Sequence, residues 1–559
     1  MFRVAIAYVI VAWLLLQVAD TLAPALHLPE WFQSGVFFVL LLGFPLAILF
    51  AWAFELTPEG IKRERDVDRS QSITGQTGQK LNLTIITLLA VAVVYLALDK
   101  FVFEHDHAEE VADRGPSIAV LPFANMSDDA SNEYFADGIT EELLNLLAKI
   151  PELQVTSRTS AFQFKGREVD IPTVARELDV AHVLEGSVRK SGIKVRITAQ
   201  LIDADTDKHV WSETYDRELD DIFAIQDEIA REVVDVLHVT LLGETPTVRE
   251  TNTEAYTLYL EGLHFIERDN FDLFPMALER FEKATAIDPS YAPAWYGRAR
   301  TIREMANRGD YPLHKGTQLA RQWARKAVEM DPSLAEAWAW LAHVALIYDW
   351  DWDETRALMQ RALEVGPRNP AVLAEAARMH QVFGELDEMI EYAEKALSQD
   401  PLSKMRLEEA SKLHLYAGNW SRAIELAEKN EAVNSQDAWP GDLIGIYLLR
   451  GEFDEAARRT DELASHDWDY ARTIVGAYIY HAAGRTAEAA AGLDWVIENL
   501  GIPFGYQIAQ IYAQQDQPDK AFEWLETSYE NRDGGLSYLV VDPYIESLHE
   551  DPRWRPFLE

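Results

Sequence analysis

Between residues 288 and 484 the chain repeats its own punctuation. Asp288-Pro289, Asp331-Pro332, Gly366-Pro367 and Asp400-Pro401 recur at spacings of 43, 35 and 34, and Gly384, Gly418, Gly451 and Gly484 at 34, 33 and 33. A period of this length constrains the fold more than composition does. Each unit is one supersecondary element that cannot bury its apolar face alone, so it must stack on its neighbours. Proline ends a helix, and Gly-acidic pairs such as Gly384-Glu385 and Gly451-Glu452 suit the turn inside a helical hairpin. Ala277 and Ala284 let two antiparallel helices approach closely, and Phe281 plugs the gap between them.

The pattern resembles the tetratricopeptide repeat. Ala277, Phe281, Ala284 and Pro289 fall where that family places Ala, Phe, Ala and Pro. About eight units are expected over residues 253–536. The second carries an insertion at "NRGDYPLHKG", and residues 537–559 are expected to fold as a C-terminal cap. The resemblance implies an all-α superhelix whose concave face, lined by the first helix of each pair, binds a protein or peptide partner.

The front of the chain reads differently. Three apolar runs, at about 4–25, 34–55 and 82–102, each reach or approach the ~20 residues that cross a bilayer. The basic loop at residues 61–80 faces the cytoplasm under the positive-inside rule. The expectation is therefore a membrane region over 1–103 with three transmembrane helices in contact with lipid. It places the protein as a multi-pass protein of a bacterial inner membrane, with an acidic linker at 104–115 and a large C-terminal region in the periplasm. The 51 basic and 92 acidic side chains leave a net charge of -41, which argues against a nucleic-acid partner. The chain has no cysteine, which removes disulfides, thiol catalysis and thiolate metal sites.

Residues 116–245 alternate short apolar strands with amphipathic helices. "SIAVLPF" and "LQVTS" read as strands, and "ITEELLNLLAKI" as a helix with Ile139, Leu143, Leu146 and Leu147 on one face. Asp137 or Thr140 is the expected N-cap. "AHVLEGSVRK", "IKVRITAQLIDA" and "HVWSETYDREL" alternate with period two, with a hairpin turn at Ser191-Gly192, and a long helix closes the region. This predicts an α/β domain with a mixed sheet. The stretches "IAVLPF", "YFADGITEEL", "VARELDVAHVLEGSVRKSG" and "KVRITAQLIDADTDKHVWSETYDREL" resemble the TolB amino-terminal domain and the related FlgO-like domain. In similar proteins this module lies between a membrane segment and helical repeats. Some of them, related to bacterial adenylate cyclases or winged-helix membrane regulators, carry an output domain at the amino end; none is present in this sequence.

No catalytic, cofactor or metal site emerges from the spacing. The acidic loop with Asp128, Asp129 and Glu133 has the outline of a phosphate or metal site, yet it lacks a glycine-rich run and an accompanying His, Lys or nucleophile. It reads as a solvated loop and helix cap, with partner contact as the alternative. His105 and His107 lack an organised third ligand. "GQTGQK" lacks the full phosphate-loop pattern, and Ser191 with Lys194 lies on a hairpin instead of opening a helix. The densest aromatic cluster, Trp338, Trp340, Tyr348, Trp350 and Trp352, fits either repeat packing or partner contact. Two functions follow. One is a non-enzymatic membrane-anchored interaction scaffold; the other is a transmembrane receptor sensing a periplasmic ligand or partner. A hydrolase or cyclase is disfavoured by the missing motifs.

Overall fold

The computed structural model describes residues 116–150, 152–237, 239, 246–267, 270–434, 441–463 and 469–559. It also describes Tyr8, Ala12, Leu40 and the strands Phe54–Thr57 and Gly60–Arg63. The chain divides into two compact units, Met1–Asp113 and Arg114–Glu559.

In the first unit Phe54–Thr57 pairs antiparallel with Gly60–Arg63, Phe54 opposite Arg63 and Thr57 opposite Gly60. This corrects the expectation for the front of the chain. The runs at 4–25, 34–55 and 82–102, and the linker at 104–115, lie largely outside the described residues. Among the described residues no helix is long and apolar enough to cross a membrane. Where the end of the second run is described, Phe54 and Glu55 are strand. Their backbone hydrogen bonds run across a hairpin, not along a helix axis. Apolar composition signals burial but does not choose the partner of a backbone N–H. The fold class with three transmembrane helices, the contact with membrane lipid and the multi-pass inner-membrane location are therefore withdrawn. The structure shows a β-sheet domain over residues 117–218 followed by helical repeats.

The second unit opens with strands β1 (Ser117–Val120) and β2 (Ala124–Asn125) and helix α1 (Glu133–Ala148). It continues with β3 (Gln154–Val155), α2 (Arg158–Phe162), α3 (Ile171–Leu178), β4 (His182–Ser191), β5 (Lys194–Asp203), β6 (Lys208–Glu218) and α4 (Ile222–Val236). The strand order is β3-β1-β4-β5-β6, with β2 against β4. β1 is parallel to β3 and β4, while β4, β5 and β6 form an antiparallel meander, so the sheet is mixed. Gly192 makes the predicted turn at φ 61°, a conformation that costs glycine nothing. Period two puts Val195, Ile197, Ala199 and Leu201 in one core with α1 and α4. Ala119 and Val183 face the other way, toward Val174 and Leu178 of α3.

Helix α1 begins at Glu133, six residues before the predicted apolar face starts. Asp137 and Thr140 are therefore inside it and cap nothing. The Thr140 hydroxyl donates to the Ala136 carbonyl at 2.9 Å and accepts from the Phe123 amide at 3.0 Å. It thus ties the helix to the strand's exit. Phe135 and Ala136 are fully buried, and that burial extends the helix toward its amino end.

The repeats follow as paired helices. The first four pairs are α5 (Thr253–Ile266) with α6 (Phe274–Ile287), α7 (Ala292–Asn307) with α8 (Leu313–Met330), α9 (Ala335–Val344) with α10 (Trp352–Val365), and α11 (Pro370–Phe383) with α12 (Leu386–Gln399). The next four are α13 (Lys404–Tyr416) with α14 (Trp420–Val433), α15 (Gly441–Leu449) with α16 (Phe453–Glu462), α17 (Asp469–Ala482) with α18 (Thr486–Asn499), and α19 (Gly505–Gln514) with α20 (Pro518–Glu530). The recurring glycines 384, 418, 451 and 484 sit at φ 72°, 74°, 78° and 77°, where each first helix ends. In the third pair Trp350 occupies the left-handed conformation instead, at φ 56°. Phe281 is fully buried between Gly262 and Gly297; a Cβ on either glycine would lie 2.6 Å from its ring.

The sheet domain and the repeats share one core. Ile118, Leu143 and Ile229 cluster with Tyr256, Leu260 and Phe281 of the first hairpin. On the other side of the sheet, Leu402 joins the cluster around α3. Helix α2 lies between the two contacts. Arg158 Nη1 is 2.8 Å from Glu267 at the end of α5, and Ser160 Oγ donates to Asp400 beyond α12 at 2.6 Å.

Candidate functional site

The first helices of successive hairpins line one side of the array. On that side the chain's own C-terminal segment crosses them, as two 3-10 turns, Gly534–Tyr538 and Pro543–Leu548. Gln381 Nε2 of α11 donates to the Ser537 carbonyl at 3.2 Å, and Gln514 Nε2 of α19 to the Tyr544 carbonyl at 2.6 Å. Asp542 is buried between them. Its Oδ2 accepts from the Tyr506 hydroxyl at 2.7 Å and the Gln510 amide at 2.5 Å, and its Oδ1 from the Tyr544 amide at 2.9 Å. Burial pushes the Asp542 carboxyl up from its ordinary range. The segment is held as a bound peptide would be, by main-chain carbonyls and one anchored side chain.

Beneath it lies a cavity of about 450 Å³. Five tyrosines line it: Tyr416, Tyr478 and Tyr506 from first helices, and Tyr538 and Tyr544 from the C-terminal segment. Tyr416 meets Tyr538 edge to face at 6.0 Å, and Tyr478 meets Tyr544 at 6.1 Å. Lys412 Nζ sits 3.8 Å over the Tyr538 ring, and its charge holds the Tyr538 hydroxyl below the usual phenol range. Arg378 donates to Glu409 at 3.0 Å and lies 3.3 Å from Glu375, while Arg406 also pairs with Glu409.

Asp442, in the first turn of α15, lines the same cavity. Burial first, then the charge of Glu408, pushes its carboxyl up to about 7.

The residues singled out in the sequence lie elsewhere. Trp338 Nε1 donates to the Pro332 carbonyl at 3.0 Å. Trp340 is buried, stacked on His343 at 4.9 Å with Arg303 at 4.7 Å from its ring. Tyr348 meets His343 edge-on at 6.2 Å. Trp350 stacks on Tyr529 at 5.5 Å and under Arg532 at 4.7 Å, and Trp352 meets Phe383 edge-on at 5.9 Å. The structure thus gathers Trp338, Trp340 and Tyr348 at one core cluster and sends Trp350 and Trp352 to separate neighbours.

In the acidic loop, Asp128 is exposed. The Asp129 carboxylate accepts from the Ser131 amide at 2.8 Å, and Glu133 pairs with Lys165 at 2.7 Å. No group of three or more His, Asp or Glu side chains among the described residues is placed to hold a metal ion.

The cavity residues were missed in the sequence, although a signal for them exists. The first helices "GDLIGIYLL" and "GYQIAQIYAQ" are apolar around much of their circumference. A repeat helix buried on all sides needs cover on its concave face as well as on its flanks.

Comparison with known proteins gives partial matches. Residues 114–232 match the family of the HilA/YgeH-like transcriptional regulator, second domain. A protein of Rhizobium meliloti described as putative adenylate cyclase 3 is 45% identical over 183 residues, which is 32% of this chain and 31% of that protein. The chain thus spans about a third of the length of the curated relative it matches. Among solved structures, a thermophilic TPR protein of Thermus thermophilus aligns at 18% identity and TM-score 0.28, over 33% of this chain and 93% of that one. A tetratricopeptide repeat protein of Parabacteroides merdae aligns at 16% identity and TM-score 0.33, over 45% of this chain and 98% of that one.

Proposed function

We propose that this protein is a non-enzymatic interaction scaffold whose repeat array binds a peptide segment of a protein partner along the face lined by its first helices. One observation carries the reading: that face already accommodates a stretch of polypeptide, residues 533–548, with Gln381 and Gln514 at its main-chain carbonyls and Gln510 at the Asp542 carboxylate. Amide side chains that bond carbonyls of a crossing chain are what main-chain peptide recognition requires. The partner peptide binds beside this segment, over the 450 Å³ cavity it leaves open. The test is selection of a random 12-residue peptide library on the full chain, followed by calorimetry. Enriched peptides are expected to bind, and Tyr478→Arg is expected to abolish binding. No enrichment, or binding indifferent to Tyr478→Arg, overturns the reading.

A second reading is favoured by the match of residues 114–232 to a domain of a transcriptional regulator. In it the scaffold is the sensory part of a regulatory system, and peptide binding by the repeats is relayed through the shared core of α1 and α5. Amide hydrogen exchange in α1 on peptide addition tests it; unchanged exchange there removes the relay.

A further inference from the structure

The cavity beneath the C-terminal segment has unspent acceptor capacity. Its two guanidinium groups are paired, and its ammonium lies against a ring. Arg378 and Arg406 share Glu409, and Lys412 lies against the Tyr538 ring. Its free groups are acceptors. Half-buried Asp442 forms no hydrogen bond or ion pair with a described residue, and Lys412 attracts its charge. Gln507 Oε1 is buried without a hydrogen-bond partner. Both line the cavity. An enclosed acceptor without a donor costs free energy, so such pairs persist where a ligand supplies the donors. The surrounding walls are tyrosine rings, whose faces attract cations once water is excluded.

From this geometry we infer that the cavity between α13, α15 and α19 binds the basic side chain, arginine or lysine, of a partner peptide. Asp442 receives the charge, Gln507 accepts a further N–H, and Tyr416, Tyr478 and Tyr506 enclose the aliphatic stem. A guanidinium brings five N–H donors in a fixed fork and an ammonium three, against two acceptor groups that receive no hydrogen bond from a described residue. The raised Asp442 carboxyl is consistent with this, since a bound cation restores the charge that burial disfavours. The inference rests on the peptide-scaffold reading and adds the residue that the scaffold selects.

The experiment uses the full chain and two probes. Nα-acetyl-arginine methylamide and its neutral counterpart Nα-acetyl-citrulline methylamide are titrated by saturation-transfer NMR and calorimetry, and the 12-residue library is scored for composition. The arginine probe is expected to bind and the citrulline probe to bind at least tenfold more weakly. Asp442→Asn should cut arginine-probe affinity at least tenfold. Gln507→Glu, which adds an acceptor charge without changing side-chain volume, should raise it. Library peptides should share an Arg or Lys at one position. Equal binding of the two probes overturns the inference, as does Gln507→Glu weakening the arginine probe. A library enriched in peptides with no basic position overturns the inference and leaves the scaffold reading standing. A library with no enrichment overturns both.

Discussion

Two places in this chain gather carboxylates, and they end in opposite conditions. Across the loop before α1 and the helix's first turns, Asp129 holds a backbone amide, Glu133 holds Lys165, and Asp137 lies against Lys165 and His264. Only Asp128 is left, and it faces water. In the groove, half-buried Asp442 lines a tyrosine-walled cavity near Glu408, with no hydrogen bond to a described residue. The loop has the greater density of acids and the groove the greater free energy at stake. A carboxylate beside an amide or an ammonium is already satisfied. One enclosed without a partner is available to a ligand.

The comparison can be broken or sharpened by substitution. The largest effect is expected in the frame that holds the groove. Phe281→Ala empties the space between Gly262 and Gly297, where the repeat core joins the sheet-domain core, and should destabilise the unit by about 3–5 kcal/mol. Urea unfolding checks this; a shift below about 1 kcal/mol would show that the two regions are separable after all. Next comes Asp542→Ala. It strips the Tyr506 hydroxyl and Gln510 amide of their acceptor, at a cost of about 1–3 kcal/mol, and should speed amide exchange at Tyr544 and Ile545.

Asp442→Asn should act in the other direction. Burial raises the folded-state value from 3.8 to about 7. Between those values the folded chain keeps a proton that the unfolded chain has lost. The stability linked to this group is therefore full below pH 3.8 and falls as the pH rises through about 7, with Glu408 and Glu431 adding to the fall and Lys412 opposing it. Removing the charge should leave the variant more stable than the parent at pH 8, by on the order of 1 kcal/mol. At pH 3 the two should match. Thermal unfolding at both pH values tests this, and a variant less stable at pH 8 would mean that Asp442 has a partner. The smallest effect belongs to the loop. Asp128→Ala should move neither the unfolding midpoint nor the affinity of any library peptide, and a measurable change in either would return that loop to candidacy.

Much of the architecture was legible because it is local. The glycines at 384, 418, 451 and 484 announced left-handed residues at 33- to 34-residue intervals, and all four have them. Alternation at Val195, Ile197, Ala199 and Leu201 marked a strand with one buried face. The start of α1 was misplaced because burial of Phe135 and Ala136, a tertiary contact, lengthens the helix. The apolar run ending at Phe54 misled because hydropathy does not distinguish a helix from a strand. The cavity could not be read at all. Asp442 and Gln507 are 65 residues apart and come to line one cavity only through the stacking of hairpins. The aromatic cluster near residue 340 drew attention by density, yet Trp340 is packed under Arg303 and Trp350 under Arg532.

Helix α2 has a mechanical consequence. A stack of helical hairpins is a soft spring, because each coil touches only its neighbours and small rotations add along the array. Here five residues clip the first coil to the end of the fourth: Arg158 to Glu267, and Ser160 to Asp400. With the sheet domain braced between them, that stretch can neither lengthen nor unwind without breaking a buried contact. The cavity begins inside the brace, at α11 and α12, and runs on to α19. One wall of it is therefore held in place before anything arrives, and the array presents its ligand with a fixed jaw instead of a coil that wraps around it.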